Sequence, residues 1–314
     1  MKKREKTLGI VVPFLNEAEN LQVLYRRTCA VFDGLEEDVS FVFVDDGSTD
    51  GSFQCLEEIR KKDSNVRIVR LSRNFGHQAA VTAGLNHIDA DAVVVMDADL
   101  QDPPEVIPEM MEKWREGFQV VYGVRCKRKE NWAKRASYFL FYRIMERIVD
   151  FSFPLDAGDF ALIDREIVDL MNQLPEKNRF VRGLRSWVGF RQIGIEYERD
   201  SRSAGTPKYS IAKLFKLALD GLVAYSSAPL RLANWIGMGS AVVGFLYFIY
   251  IIVSKIFLKT NPPGWTSLAV IVLFLGGVQL IVLGIIGEYI SRIFEETKQR
   301  PSYIVAERVG WDNE

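Results

Sequence analysis

Two long runs without a charged side chain, Leu232–Ser254 and Thr260–Gly287, constrain this chain more than anything else in it. A helix needs about 20 predominantly apolar residues to cross a bilayer, and each run exceeds that. A charge at mid-helix costs about 2.5–3.5 kcal/mol, so its absence from both runs carries weight. Trp235 and Trp265 stand near the starts of the runs, as interfacial aromatics do, and Asn261-Pro262-Pro263-Gly264 reads as the turn between two helices. Lys213, Lys216 and Arg231 precede the first run, and Arg292, Lys298 and Arg300 follow the second, against Lys255 and Lys259 between them. That asymmetry predicts a two-span, multi-pass hairpin with both termini in the cytoplasm.

The mean hydropathy of the whole chain is near zero because the part before residue 208 is a mixed-charge sequence. With 314 residues there is room for a full domain ahead of the spans. Lys and Arg number 40 and Asp and Glu 41, a net charge of -1, which argues against a nucleic-acid partner. Aromatic residues at 12% and charged residues at 26% exclude a disordered chain. Cys29, Cys55 and Cys126 are odd in number and scattered. They form neither a zinc pattern nor a disulfide framework and read as inert thiols of a reducing compartment. His77 and His87 are the only histidines, so a His-rich metal site or a Ser-His-Asp hydrolase is hard to build. The charged Met1–Lys6 leads into an apolar run that stops at Pro13, which predicts no cleavable signal peptide.

Five short apolar runs punctuate the first 125 residues: Leu8–Val12, Val39–Val44, Val66–Leu71, Ala92–Met96 and Val120–Val124. Helix-like stretches separate them, at Glu17–Phe32, Gly51–Lys62, Gln78–Ile88 and Pro104–Glu116. Near-continuous apolar strands alternating with helices predict an α/β, Rossmann-like, mostly parallel sheet buried on both faces. Ligands in such sheets sit beyond the carboxyl ends of the strands. Those ends carry Pro13-Phe14-Leu15-Asn16-Glu17, Asp45-Asp46-Gly47 and Asp97-Ala98-Asp99. Trp132–Phe151 and Lys208–Leu230 alternate basic and apolar groups, which suggests helices lying at a membrane surface.

Asp97-Ala98-Asp99 is the main chemical signal. At an extended strand end, residues two apart point the same way, so the two carboxylates converge and repel. A divalent cation resolves that repulsion, and oxygen ligands point to Mg²⁺ or Mn²⁺ rather than zinc. Such an ion beside a nucleotide-binding sheet would bridge diphosphate oxygens. The turn Asp45–Gly51 fits a nucleotide pocket, with acidic acceptors for ribose or base and glycines that permit close approach. No GxGxxG or GxxxxGK[ST] follows a strand, which disfavours a dinucleotide fold or a P-loop ATPase.

Pro13–Glu17, Asp45–Asp50, Arg73-Asn74-Phe75-Gly76-His77 and Asp97–Glu105 together closely resemble the family 2, GT-A fold glycosyltransferases. The resemblance is strongest to the polyprenyl-phosphate sugar synthases. It continues through Gly158-Asp159-Phe160, Arg179–Gly183 and Arg199–Tyr209 into the two-span tail. It implies the following roles. Pro13, Asn16 and Glu17 form the first nucleotide-binding loop, and Asp46 holds the base or ribose. Asp97, Ala98, Asp99 and Gln101 make the metal and diphosphate site, with Asp97, Asp99 and Gln101 as ligands. Arg125 and Arg128 serve the donor or acceptor phosphates. Arg199, Arg202 and Lys208 lie in a phosphate-binding loop near the membrane, Arg199 and Arg202 toward the acceptor phosphate and Arg202 and Lys208 toward the donor. Asp159 or Asp156 matches the position of a proposed base; we read it instead as positioning the acceptor or sugar.

The resemblance implies an inverting, in-line transfer of a hexose, UDP-glucose favoured, to polyprenyl (undecaprenyl) phosphate at a bacterial inner membrane. An acceptor monophosphate with a second pKa near 6 is mostly an oxyanion at pH 7, which lessens the need for a strong base. Relatives suggest homo-oligomers, and Gly276-Gly277 and Gly284–Gly287 offer close helix packing. A processive polysaccharide synthase is a weaker reading, because Gly183-Leu184-Arg185-Ser186-Trp187 is not QxxRW and only two spans are present. Other lipid acceptors and a non-catalytic membrane scaffold are further alternatives. The expected organisation is a glycosyltransferase domain over 1–207, a juxtamembrane helix over 208–231, two spans over 232–290 and a cytoplasmic tail over 291–314.

Overall fold

The computed structural model describes residues 6–33, 38–126, 157–177, 179–198, 228–258 and 264–311. They divide into two compact units: a sheet unit, which includes the segment after Arg300, and a helical unit within 208–299.

The sheet unit runs β1 (Thr7–Phe14), α1 (Ala18–Phe32), β2 (Asp38–Asp45), α2 (Ser52–Arg60), β3 (Val66–Leu71), α3 (His77–His87) and β4 (Ala92–Val95). A 3₁₀ turn (Pro104–Val106) leads into α4 (Ile107–Arg115) and β5 (Val120–Cys126). Then come β6 (Ala157–Asp164), α5 (Arg165–Gln173), α6 (Val181–Trp187), β7 (Gln192–Glu198) and, after the helical unit, β8 (Val305–Val309). The strands form one eight-stranded sheet in the order β7-β5-β6-β4-β1-β2-β3-β8. β4, β1, β2 and β3 are mutually parallel; β6 runs antiparallel between β4 and β5, and β8 antiparallel along β3. All five strands expected from the apolar runs are present, and the mostly parallel sheet is as expected.

The strands are apolar on both sides because both faces are covered. Ile10, Val12, Phe41 and Phe43 pack against Leu21 and Leu24 of α1, Leu56 of α2 and Met110 of α4. Val11, Val42, Val44 and Val69 pack against Val81 and Leu85 of α3, Val168 of α5 and Leu184 of α6. Alternate side chains thus serve opposite layers, the period-2 rule of a strand. Cutting one such side chain to alanine, Phe43 for example, costs about 3–5 kcal/mol. Local signals fix the helix ends: Asp164 caps α5 by accepting from the Glu166 N–H, and prolines stand in the first turns of the 3₁₀ segment and α4.

Two expectations need correction. β4 ends at Val95, so Asp97 and Asp99 lie in the turn after the strand rather than at an extended end, and strand alternation does not bring them together. The C-terminal segment read as a plain tail contains β8. Its register pairs Val69 with Arg308 and Arg70 with Glu307, and the Ser72 N–H donates to the Ile304 carbonyl at 2.9 Å. Tyr303 and Trp311 flank it. The Tyr303 hydroxyl accepts from Asn86 Nδ2 at 2.9 Å, and the Trp311 ring meets the His87 ring edge-on at 5.8 Å. A short polar strand gives little periodic signal, which is why β8 escapes a reading of apolar runs.

The helical unit holds α7 (Ala228–Val253), a π-helical turn at Ser254–Leu258 and α8 (Gly264–Thr297). Two segments, Pro229–Ile256 and Val270–Thr297, are long and apolar enough to cross a membrane. Their large side chains, among them Trp235, Leu246, Leu273 and Leu280, are exposed in the protein, the reverse of a soluble core. The amphipathic stretch 132–151 and residues 208–227 lie outside the described residues.

Candidate active site

Three loops at the carboxyl ends of β1, β2 and β3 are stitched together by their own polar groups. Asn16, in the left-handed region at φ 56°, donates its N–H to Ser48 Oγ at 3.0 Å, and its Oδ1 accepts from the Thr49 N–H at 2.8 Å. The Glu17 N–H donates to Ser52 Oγ at 2.9 Å, and that serine is held by Asp50. Asp45 accepts from the Ser48 N–H at 2.7 Å and faces Arg70 Nε at 3.5 Å. Asp46 accepts from the backbone N–H groups of Phe75 (2.7 Å) and Gly76 (3.0 Å). Burial raises its pKa, with those two hydrogen bonds opposing. Gly47 is required between them: its φ is +80°, and a Cβ there would sit 2.7 Å from the Arg73 carbonyl carbon. Pro13 lies in β1 and is buried.

The loop tied to Asp46 delivers His77 to a charged cluster. His77 Nε2 lies 3.1 Å from Asp159 Oδ2 and 3.6 Å from Asp97 Oδ1. Arg182, on α6, grips Asp159 with two hydrogen bonds, Nε to Oδ1 at 2.7 Å and Nη2 to Oδ2 at 3.0 Å. Burial alone would raise the Asp159 pKa, but the bonds from His77 and Arg182 outweigh it and hold the carboxyl well below the usual range. Burial also lowers His77, yet Asp159 and Asp97 raise it on balance. Burial pushes Asp97 up to about 6; His77 opposes this, while Asp102, Asp159 and Asp99 add to it.

A second chain of contacts reaches the same place from β5 and β7. Arg125 Nε donates to the Tyr197 hydroxyl at 3.4 Å, which donates to the buried Asp102 Oδ1 at 2.6 Å. Arg125 packs over Gly158, where a Cβ would lie 3.0 Å from Nη2 and the guanidinium would have to give way. Two guanidinium groups, Arg125 and Arg182, thus flank one acidic cluster. The Gln101 N–H donates to Asp99 Oδ1 at 3.2 Å, closing the turn that follows β4, with Leu100 at φ 60° between them. Ala98 is buried in that turn.

The donor set fits a hard divalent ion. Asp97 is raised chiefly by burial and further by the neighbouring Asp102, Asp159 and Asp99, and a cation there would favour its charged form. Among the described residues no three His, Cys, Asp or Glu side chains form a closed metal cage. That suits an ion held by one or two carboxylates that completes its shell with phosphate oxygens and water.

The structure therefore groups Asp97, Ala98, Asp99, Gln101, Asp159 and Arg125, and places Asn16, Glu17 and Asp46 in the neighbouring loops, with Pro13 in the strand that leads to them. Asp156, Arg128, Arg199, Arg202 and Lys208 lie outside the described residues. His77, Arg182, Asp102 and Tyr197 belong to the cluster without having been singled out. His77, Asp102 and Arg182 fall within the motifs Arg73–His77, Asp97–Glu105 and Arg179–Gly183, which is the signal that could have found them; Tyr197 lies outside all three. Cys29 and Cys55 are free thiols raised chiefly by burial, as inert cysteines are.

Residues 9–170 match glycosyl transferase family 2, and residues 228–293 match the GtrB C-terminal hairpin. An uncharacterized glycosyltransferase, YkcC, of Bacillus subtilis (strain 168) is 48% identical over 97% of this chain and 95% of its own length. A bactoprenol glucosyl transferase of Shigella phage SfX is 40% identical over 96% of this chain and 99% of its own. Among solved structures, glucosyl-3-phosphoglycerate synthase from Mycobacterium tuberculosis superposes with a TM-score of 0.46 at 21% identity, over 70% of this chain and 80% of that one. The sheet, its acidic turn and the matched hairpin agree: the chain belongs to glycosyl transferase family 2 and is a glycosyltransferase.

Proposed function

We propose that this glycosyltransferase moves a hexose, with UDP-glucose as the favoured donor, onto polyprenyl phosphate at the cytoplasmic face of a bacterial membrane. The observation that carries this reading is the joining of an acidic GT-A-type turn to an apolar hairpin of the kind found in bactoprenol glucosyl transferases. The lipid acceptor has its phosphate at the interface, and a membrane anchor keeps the enzyme near it, raising its effective concentration.

A bound Mg²⁺ or Mn²⁺ would neutralise charge on the leaving diphosphate. Asp97 and Asp99 would hold it, with Gln101 beside them. Arg125, oriented through Tyr197 and Asp102, meets one of the two anions that must come together. Arg128, Arg199, Arg202 and Lys208 add positive charge for the same purpose, offsetting anion–anion repulsion. Asp159 is held ionised by His77 and Arg182, so it is a weak proton acceptor and a firm hydrogen-bond acceptor. It orients a sugar hydroxyl or the acceptor while the phosphate oxyanion attacks the anomeric carbon in line, with inversion. The sheet carries segments from both before and after the hairpin, which supports an even number of crossings and both termini on one side.

The test is an acceptor assay. Purified protein in liposomes receives undecaprenyl phosphate, Mg²⁺ or Mn²⁺ and a panel of UDP- and GDP-sugars, and mass spectrometry follows the lipid. A polyprenyl-phosphate hexose, lost in Asp99→Ala, is the expected result. Sugar on diacylglycerol or ceramide instead, or no lipid product with any donor, overturns the reading.

A further inference from the structure

The chain beyond the hairpin returns to the donor side of the site. β8 runs antiparallel to β3, so its first residues lie at the carboxyl end of β3, the end where the loops of the active site gather. There an open cavity of about 340 Å³ is lined by Gly47 and Ser48 after β2, Arg70 and Leu71 of β3, Ser72 and Arg73 after it, and Ala306 and Glu307 of β8; Arg70, opposite Glu307 in the ladder, faces Asp45 at 3.5 Å. Ser48 is the residue whose hydroxyl holds the Asn16 N–H, so the cavity adjoins the first nucleotide-binding loop.

The sheet order sets the distance. From β4, which ends at the acidic turn, the strands run β1, β2, β3. Three spacings of about 4.8 Å make about 14 Å from the carboxylates to the end of β3. A donor with its diphosphate at Asp97 and Asp99 and its nucleoside lying along the strand ends reaches this cavity. A nucleoside offers ribose O–H and base N–H donors and needs acceptors. Asp46, the acid expected to supply one, accepts one N–H on each oxygen, from Phe75 and Gly76, and keeps acceptor capacity beside them; the cavity wall adds a second carboxylate. Glu307 is an exposed carboxylate on the cavity wall with no side-chain partner among the described residues.

We infer that β8 is part of the donor site, with Ala306 and Glu307 walling a cavity that takes the nucleoside half of a nucleoside-diphosphate sugar and Glu307 accepting its hydrogen bonds. This rests on the reading of the protein as a nucleotide-sugar enzyme. The strand is held for the task by its ladder to β3 and by Tyr303 and Trp311 on α3.

The experiment measures UDP and GDP binding, each with Mn²⁺, to the full chain in detergent by calorimetry, alongside donor KM and kcat. Glu307→Ala should weaken the preferred nucleotide roughly three- to tenfold, the loss of about one hydrogen bond. Donor KM should rise by the same factor while kcat stays put. Glu307→Gln, which keeps a carbonyl acceptor, should lose less, and Ala306→Leu, which fills the cavity, should weaken binding as well. Arg308→Ala, on the same strand and off the cavity wall, should stay within about twofold. Unchanged binding in Glu307→Ala overturns the inference, and so does an equal loss in Arg308→Ala, which would mark β8 as structural support only. If the unaltered protein binds neither nucleotide, the functional reading itself fails. If it binds nucleotide normally with no Glu307 effect, only this inference fails.

Discussion

Asp159 is buried and ionised at once, and that combination sets its behaviour. Its folded pKa lies below the unfolded value of about 3.9. The stability it contributes is therefore present above about pH 4 and is lost as pH falls through the lower folded value. Asp159→Asn should lower the unfolding midpoint most near pH 5, where both Asp159 and His77 are charged; the deficit should shrink as pH rises through the raised His77 pKa and close below about pH 4, which scanning fluorimetry across that range checks. Arg182→Ala should cost roughly 1–3 kcal/mol, less than a fully buried pair, because 31% of the Arg182 side chain remains exposed. Asp99→Ala should reduce transfer roughly 100-fold or more without unfolding the protein, read as kcat beside a thermal melt. His77 shows why residues can be missed. Its motif marks it without giving it a role, and only the docking of the Arg73–Gly76 loop onto Asp46 carries it to Asp159.

At the level of elements, the strands that carry a continuous apolar run were legible, because burial on both faces leaves no room for polar residues. β7, with Gln192, Glu196 and Glu198 facing away from Ile193, Ile195 and Tyr197, and the short β8 were not. Their place comes from long-range pairing, which leaves little local trace. Strand alternation is expected to align the two carboxylates after β4; the strand stops at Val95 and both residues lie in the turn that follows, because a local break in the ladder leaves no periodic trace. The β2–α2 turn makes a sharp prediction. Gly47→Ala combines an unfavourable φ with a contact to the Arg73 backbone and should destabilise the sheet unit by about 1–3 kcal/mol, measured by chemical denaturation. Removing residues 300–314 should strip β3 of its outer partner; its amides should exchange faster, and an uncovered edge strand invites association between molecules.

For the whole molecule, charge and hydropathy spoke most clearly. The two uncharged runs announced the hairpin, and the acidic loops fall at the carboxyl ends of the strands, as the apolar runs before them implied. The open donor set also predicts how metal affects stability. Chelation alone should leave the melting temperature nearly unchanged, whereas UDP should raise it only when Mg²⁺ or Mn²⁺ is present, since the ion and the diphosphate complete each other's contacts. Single cysteines placed at position 262 and at position 312, labelled from outside sealed vesicles, should report opposite sides of the membrane.

Because β8 follows both apolar helices in the chain and pairs with a strand made long before them, the sheet waits for its edge through the synthesis of the whole hairpin. Until then β3 stands open and the cavity beside Gly47 lacks a wall. The order of translation thus puts the synthesis of both apolar helices before completion of the catalytic unit, so a chain stalled before its second helix carries the acidic turn but an unfinished sheet.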